Sequence, residues 1–281
     1  MPQMLMLLVT IAAATGHPVK GGPADVVPFD TDKDGGVIVP VWIDGRGPYR
    51  FLLDTGSNLS AVSERLAGEQ SLQPVARTAL TTVGGVAMRP VVQLGRVSVG
   101  TVSRAGLLAS VAATAELAIL GVGVDGMLGQ DFLATYNFTV DYHRKRIVWD
   151  ELEGAGAWRL PLIPRDGRFV VQLPGALGDE PLEMVPDSGT GSFVLFARDG
   201  DQVARQWSEG SVTISGLTGT QRARYSRLRE LRVGGMTLRN IPIVVVRRDD
   251  GEHEGADGLL PLHLFKRVTF RVSEGYMAVE R

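Results

Sequence analysis

The second half of the chain repeats the first. The segment "DGMLGQDFLATYNFTVDY", which begins at Asp125, aligns without a gap with "DGLLPLHLFKRVTFRVSE", which begins at Asp257, at an offset of 132 residues. Apolar positions coincide along this alignment, and Phe138 falls on Phe270. Such a period is too long for a solenoid. It predicts two copies of one domain, related by a pseudo-twofold axis.

Weaker matches extend the repeat towards the N-terminus of each copy. "VSVG" ending at Gly100 resembles "LRVG" ending at Gly234, and "GGVIVPVWIDG" resembles "DGRFVVQLPG". The segment 151–167 joins the two copies. We therefore predict an N-terminal lobe over residues 26–152 and a C-terminal lobe over residues 160–281.

Strand signals dominate both copies. "VIVPVWI" leads through an Asp44-Gly45 turn into "YRFLLD", which is typical of a hairpin, and Gly84-Gly85 separates two further β-prone arms. Helical periodicity is confined to "AVSERLAG" and "GQDFLATY", each expected to make two or three turns. The predicted fold class is all-β, in two lobes.

The first 14 residues resemble a secretory signal peptide. Their apolar run from Met4 to Ala14 is too short for a bilayer core of ~30 Å, but it suits a signal h-region ending in an Ala-rich cleavage site. We expect export to the periplasm or medium of a bacterial cell, with no integral membrane span after cleavage. The missing basic n-region favours the alternative, a cytoplasmic protein.

An aspartate follows an apolar run at the same place in each copy. "FLLDTGSN" contains Asp54 and "MVPDSGTG" contains Asp187, at an offset of 133 residues. Two carboxylates facing each other across a twofold axis cannot both ionise cheaply, so such a pair holds one shared proton. The ionised carboxylate can deprotonate a water while the protonated one polarises a carbonyl. We predict that Asp54 and Asp187 form a catalytic pair.

The residues after each aspartate suit this pairing. Hydroxyls at Thr55 and Ser188 are expected to hydrogen-bond across the lobe interface. Glycines allow close backbone approach to the carboxylates, and the next hydroxyls are expected to bond the outer carboxylate oxygens. The predicted supporting residues are Thr55, Gly56, Ser57, Ser188, Gly189 and Thr190.

These motifs resemble the aspartic protease clan, in which each lobe carries a hydrophobic-hydrophobic-Asp-Thr/Ser-Gly-Thr/Ser loop. "DGMLGQDF" is similar to the later family segment that supports this loop. Lobes this short look like two retroviral-type (retropepsin-like) protease domains fused in one chain. The resemblance implies a two-lobed β-barrel fold with pseudo-twofold symmetry, and an aspartic endopeptidase that acts as a monomer on peptide or protein substrates without a cofactor.

The resemblance also implies a β-hairpin flap from each lobe over an extended peptide. The matching segments are 81–88 and 214–221, with candidate residues Val83, Gly84, Gly85, Ser215, Gly216 and Leu217. Two prolines depart from the family pattern near the second aspartate, Pro186 directly before it and Pro261 where the first copy has Gly129. Because proline lacks an N–H, both remove a donor near this loop. They leave open a catalytically retired, peptide-binding protein as the alternative function.

Other functional interpretations are weaker. "GVGVDG" at 121–126 satisfies the dinucleotide-binding fingerprint, but only a short helical segment follows and the second copy loses the glycines, so we interpret it as a loop. Asp125 and Asp257 also repeat, yet their Asp-Gly context favours a structural role in turns. The four histidines share no ligand spacing, which predicts no metal site. A net charge of -2 gives no bulk attraction to nucleic acid.

Overall fold

The computed structural model describes residues 25–32, 34–174, 181–197, 210–247 and 255–281. The predicted signal peptide at 1–14 lies outside these residues. The first lobe contains strands β1 (Val26–Pro28), β2 (Asp30–Thr31), β3 (Val37–Ile43), β4 (Arg46–Leu53), β5 (Ser60–Ser63), β6 (Pro74–Thr82), β7 (Gly85–Gln93), β8 (Arg96–Val99), β9 (Val102–Ala105), β10 (Leu108–Ala112), β11 (Gly126–Leu128), β12 (Phe138–Asp141) and β13 (Arg146–Trp149).

The second lobe is built in the same way. Its strands are β14 (Trp158–Pro161), β15 (Ile163–Arg165), β16 (Arg168–Leu173), β17 (Leu182–Asp187), β18 (Phe193–Ala197), β19 (Gly210–Gly216), β20 (Gly219–Val233), β21 (Met236–Arg247), β22 (Gly258–Pro261), β23 (Arg267–Arg271) and β24 (Tyr276–Glu280). β14 begins two residues before the expected start of the second domain, and the domain limits stay a prediction.

Helices in the described residues are short. They are α1 (Glu64–Glu69), α2 (Thr114–Leu117), α3 (Gln130–Leu133) and three 3-10 turns at Ala118–Leu120, Leu262–Leu264 and Val272–Glu274. α1 and α3 lie where the sequence predicts helices, but they are shorter than the expected two or three turns. No helix in the described residues is long and apolar enough to span a membrane.

The sequence repeat is a repeat of topology. The first-lobe order β6-β7-β10-β5-β11-β4-β3 returns in the second lobe as β19-β20-β21-β18-β22-β17-β16. The parallel pairs β4 with β11 and β5 with β10 correspond to the parallel pairs β17 with β22 and β18 with β21. The predicted all-β, two-lobed fold is therefore confirmed. Over the described residues each sheet follows an open path of strands, without a closed barrel.

Turns fall where the sequence predicts them. Asp44 and Gly45 join β3 to β4 with φ angles of 50° and 77°, and this left-handed pair is typical of a two-residue hairpin. The aligned Gly100 and Gly234 have φ angles of 60° and 58° and make equivalent turns. In the second lobe the strands around this turn are longer, since β20 has 15 residues and β21 has 12.

A third sheet joins the lobes, in the order β1-β13-β12-β23-β24-β14. At its centre β12 pairs antiparallel with β23, and Phe138 lies opposite Phe270 with ring centroids 4.7 Å apart. The same two residues coincide in the sequence alignment, so the pseudo-twofold axis passes through this pair. The adjacent Thr139 and Thr269 hydroxyls are buried and hydrogen-bond each other at 2.9 Å. The lobe interface is thus a continuous sheet.

Candidate active site

The two predicted aspartates meet at the lobe interface. Asp54 directly follows β4 and Asp187 ends β17, and each of these strands runs parallel to a neighbour inside its own sheet. The two carboxyl groups lie close enough for each to shift the pKa of the other. Both lobes therefore present their central strand end, with one carboxyl group, to the same point.

Each glycine of the two loops packs against the aspartate of the opposite lobe. A Cβ on Gly56 would lie 2.5 Å from Cγ of Asp187, and a Cβ on Gly189 would lie 2.9 Å from Cγ of Asp54. Real Cβ contacts of this length do not occur, so any larger residue would push the opposite carboxyl group away. The close approach of the two carboxyl groups therefore requires glycine at both positions.

Reciprocal hydrogen bonds lock the two loops together. Thr55 donates its hydroxyl to the carbonyl oxygen of Pro186 at 2.8 Å, and Ser188 donates its hydroxyl to the carbonyl oxygen of Leu53 at 2.5 Å. The backbone N–H of each hydroxyl residue also donates to the hydroxyl of the other, at 3.1 and 3.0 Å. This is the cross-lobe bond that the sequence predicts. It uses the carbonyl of Pro186, so the missing N–H of this proline does not weaken it.

Backbone donors orient both carboxyl groups. Oδ1 of Asp54 accepts hydrogen bonds from the N–H groups of Gly56 and Ser57 at 2.9 and 3.1 Å. Oδ1 of Asp187 accepts one from the N–H of Gly189 at 2.7 Å. These bonds hold each side chain in one rotamer, with its second oxygen free to face the partner.

The hydroxyls of Ser57 and Thr190 differ from expectation. We predict from sequence that they bond the outer carboxylate oxygens. Instead, Ser57 donates its hydroxyl to the carbonyl oxygen of Leu59 at 2.9 Å, and Thr190 donates its hydroxyl to that of Ser192 at 3.2 Å. Each accepting carbonyl lies two residues after its hydroxyl, so each bond closes a short turn after the aspartate. These hydroxyls therefore stabilise the turns.

Burial raises the pKa of both aspartates, because the low-dielectric interface disfavours a charged carboxylate. For Asp54 the two backbone donors and the nearby charge of Arg168 oppose this rise. For Asp187 the negative charge of Asp54 raises the pKa further, to well above its ordinary value. The two carboxyl groups therefore do not ionise together readily, and the pair retains one shared proton at pH values where an ordinary aspartate is charged.

A glutamine missed by the sequence analysis braces the first loop. Gln130 is buried at the start of α3 and donates its side-chain amide to the carbonyl oxygen of Thr55 at 2.8 Å, and its backbone N–H to that of Ser57 at 2.8 Å. A polar side chain inside the apolar "MLGQDFL" segment is the signal that could have revealed it. The aligned residue in the second lobe is Leu262, which is buried and cannot donate such a bond.

Asp131, the residue after Gln130, adds a second support for the Asp54 loop. Ser60 donates its hydroxyl to Oδ1 of Asp131 at 2.7 Å and accepts a hydrogen bond from the N–H of Gly129 at 3.0 Å. Burial raises the pKa of Asp131 to about 6. This cluster ties α3 to β5 just behind the Asp54 loop.

The predicted flap segments form two hairpins whose tips meet. Val83 and Gly84 connect β6 to β7, and Leu217 and Thr218 connect β19 to β20. The Thr218 hydroxyl lies 2.7 Å from the hydroxyl of Thr82, at the end of β6, and 2.7 Å from the carbonyl oxygen of Gly85, the first residue of β7. The predicted Ser215 and Gly216 end β19 beside this contact. The structure thus brings all six predicted flap residues to the junction of the two tips.

The two tips are not equivalent. Leu217 is only 4% exposed and packs into an apolar cluster of the first lobe that includes Leu52, Leu80 and Leu117, whereas Val83 is half-buried. Arg89 on β7 donates to the carbonyl oxygen of Leu217 at 3.3 Å and also forms an ion pair with Glu116 of α2 at 2.6 Å. The second-lobe flap is therefore anchored in the first lobe.

A cleft of about 3390 Å³ runs between the lobes under the flap tips. Asp54 and Asp187 line it, and so do Val83 and Leu217 from the flaps. Its walls combine apolar side chains with the two carboxyl groups, and it is long enough to hold an extended peptide of several residues. The carboxyl pair is accessible from this cleft.

Comparison with known families agrees with this geometry. A family model described as "Aspartyl protease" matches residues 39–132 and again residues 173–263, one match in each lobe and together more than half of the chain. The chain belongs to the aspartyl protease family. No curated protein matches it at a significant level.

The competing sequence interpretations do not fit this family member. The segment 121–126 is a loop entering the three-residue β11, and the four-residue α3 after it is too short for a dinucleotide-binding crossover. Asp125 accepts a hydrogen bond from the N–H of Arg50 at 2.9 Å, and Asp257 accepts one from the N–H of Glu183 at 2.9 Å. Each therefore ties a loop to a strand of its own lobe.

Within the described residues, no cluster of three or more His, Cys, Asp or Glu side chains is arranged to hold a metal ion.

Proposed function

We propose that the chain is an aspartic endopeptidase that hydrolyses a peptide bond in an extended segment held between its lobes. The observation that carries this proposal is the close approach of Asp54 and Asp187 at the lobe interface, where both line the cleft. A family assignment alone does not separate an active protease from a retired one. A carboxyl pair with one retained proton supports activity, because both halves of the acid–base chemistry are in place.

The two aspartates take different roles in this mechanism. Charged Asp54 accepts a proton from a water held between the carboxyl groups, while protonated Asp187 donates a hydrogen bond to the carbonyl oxygen of the substrate. The water oxygen bonds to the carbonyl carbon and gives a tetrahedral intermediate. Its collapse breaks the C–N bond as the amine nitrogen takes up a proton from the pair. No covalent acyl-enzyme forms.

The flaps have a binding role in this proposal. Their touching tips cover the cleft, so a segment of protein chain enters only after the tips separate. Closure over the bound segment excludes bulk water and fixes the peptide against the carboxyl pair.

The first test is removal of each carboxylate. Asp54→Asn and Asp187→Asn keep the size of the side chain but remove the acid–base pair, so we expect each variant to cleave a denatured protein at least ~10³-fold more slowly than the wild type. Product formation is measured by mass spectrometry, with circular dichroism to verify the fold. The exposed Asp30→Asn is a matched control that should cleave normally. Normal cleavage by a folded Asp187→Asn protein would contradict the mechanism.

One observation favours the alternative, peptide binding without cleavage. The second lobe has Pro261 and Leu262 where the first has Gly129 and Gln130, so the Asp187 loop is without the amide brace that holds the Asp54 loop. Binding and cleavage assays of the wild-type protein distinguish the two functions. A protein that binds peptides in the cleft and cleaves none between pH 3 and 8 would establish the alternative.

A further inference from the structure

The pseudo-symmetry of the cleft is broken at one charged position. Gly35 and Gly167 lie in equivalent turns of the two lobes, with φ angles of 89° and 75°. Gly35 lies just before β3, and Gly167 lies just before β16. The next residue is Gly36 in the first lobe and Arg168 in the second. Arg168 lines the cleft.

The first lobe holds a carboxylate where the second holds this arginine. A Cβ on Gly36 would lie 2.7 Å from Oδ2 of Asp32, so the acid occupies the space that a side chain at this position would need. Asp32 also lines the cleft and accepts hydrogen bonds from the N–H groups of Asp34 and Gly36 at 2.8 and 2.7 Å. The two pseudo-equivalent places therefore carry opposite charges.

Among the described residues, the side chain of Arg168 forms no ion pair or hydrogen bond. It is half-buried, and its Nε is fully buried without a hydrogen-bond acceptor among the described residues. Its neighbour Arg165, in contrast, forms an ion pair with Glu183 at 2.9 Å. A guanidinium group in the cleft wall without an anionic partner is open to pairing with a substrate anion.

Arg168 also lies close to the reacting groups. Its positive charge is near enough to Asp54 to oppose the rise in pKa that burial causes. The preceding Gly167 packs against the side chain of Asn58, with 3.3 Å between the position of a Cβ and the Asn58 Cβ, and Asn58 is four residues after Asp54. A substrate group bound by Arg168 would thus lie within a few residues of the scissile bond.

We propose that Arg168 binds a carboxylate of the substrate, on one side of the scissile bond only. This inference rests on the proposed peptidase function. A guanidinium group offers two parallel N–H donors that match a carboxylate, and a partly buried site strengthens the bond. Asp32 repels an acidic residue on the other side, so the preferred substrate is acidic at one position and neutral or basic at its counterpart.

The test is cleavage of a matched peptide set with blocked termini, in which each position around the scissile bond carries Glu, Gln or Lys. We expect kcat/KM for Glu to exceed that for Gln by roughly 10- to 100-fold at one position, the range for a charged hydrogen bond. Arg168→Gln should abolish this preference, and Arg168→Glu should shift it to Lys. Arg239→Gln removes the same charge from an exposed strand position outside the cleft and should keep the preference.

A second arm identifies the source of the carboxylate. Peptides without acidic side chains are compared with free and amidated C-termini. A gain from the free terminus that Arg168→Gln abolishes assigns the site to terminal carboxylates, and a gain from internal Glu assigns it to acidic side chains.

The outcomes separate this inference from the proposed function. Cleavage without a carboxylate preference, or a preference that survives in Arg168→Gln, would overturn the role of Arg168 and leave the peptidase intact. If no peptide is cleaved, dissociation constants for the same set are measured by fluorescence anisotropy. Preferential binding of Glu peptides that Arg168→Gln abolishes would then support the carboxylate site, and equal binding would refute it.

Discussion

At the scale of single residues, the two aspartates are made unequal by their surroundings. They come from the same motif, but Asp54 has two backbone donors and a nearby arginine, whereas Asp187 faces the charge of its partner. Of these influences, the charge of Arg168 comes from outside the two Asp-loop motifs. Asp131, in the later segment that supports the Asp54 loop, also has its pKa raised by burial.

Asp131 gives a pH-dependent contribution to stability. Its pKa is raised from 3.8 to about 6 in the folded protein, so between about pH 4 and 6 the folded state binds more protons than the unfolded state. The contribution of Asp131 to the free energy of unfolding consequently falls as the pH rises through this window, by up to about 3 kcal/mol, and is level above it. In Asp131→Asn this titration is absent.

Urea unfolding at several pH values checks this prediction. The difference in unfolding free energy between the wild type and Asp131→Asn should decrease from pH 4 to 6, while Asp30→Asn, at an exposed position, should run parallel to the wild type. A constant difference between the wild type and Asp131→Asn across this window would refute it.

The sequence predicts part of the site well, for a physical reason. The geometry of Asp54, Thr55 and Gly56 is set within a few consecutive residues, so a repeated motif is enough to place them and their counterparts. The direction of the Ser57 hydroxyl is not set by the motif, because the carbonyl oxygen of Leu59 accepts its hydrogen bond in place of the carboxylate. Whether the Arg168 side chain has an ion-pair or hydrogen-bond partner depends on the side chains that pack around it from distant parts of the sequence. No local sequence pattern predicts this.

At the scale of elements, the flaps show the same limit. Their positions were predictable from glycines between β-prone arms, but their inequality was not. Leu217 is buried because it packs against the apolar cluster of the first lobe, and Val83 does not belong to that cluster. Whether a flap tip is buried therefore depends on contacts between the two lobes, which are distant in sequence.

This inequality predicts unequal effects of truncation. Leu217→Ala removes apolar contact that stabilises the closed flap, and burial of a leucine is worth about 1.5–3 kcal/mol, so we expect KM to rise roughly 10-fold. Val83→Ala, the matched change at the other tip, should raise KM by a smaller factor. Steady-state kinetics on one peptide measures both, and an equal or larger effect of Val83→Ala would contradict the anchoring of Leu217.

At the scale of the whole molecule, the shared sheet couples the lobes. The stacked Phe138 and Phe270 lie at its centre, and cross-lobe ion pairs, Arg267 with Glu151 at 2.8 Å and Arg271 with Asp150 at 3.0 Å, flank it. Separating the lobes would expose this sheet and both carboxyl groups. The two lobes are therefore expected to unfold as one unit.

Calorimetry of Phe138→Ala tests this coupling. The wild type should show one transition, and the truncation should cost about 3–5 kcal/mol, the usual range for a buried phenylalanine. Because Phe138 belongs to the interface, its loss should also broaden or split the transition. Phe193→Ala removes the same buried volume inside the second lobe and should lower the single transition without splitting it. Two transitions in the wild type would refute the coupling.

Gly36 and Arg168 hold equivalent positions in the two lobes, and this difference in charge affects how a peptide can lie in the cleft. A dimer of identical subunits has a true twofold axis, so every charge at one end of its cleft is duplicated at the other, and a peptide meets the same surface whichever way it runs. A single chain encodes the two halves separately and can place a cation at one end and an anion at the other. Such a polar cleft distinguishes the N-to-C direction of its substrate, and only one of the two backbone orientations is then productive.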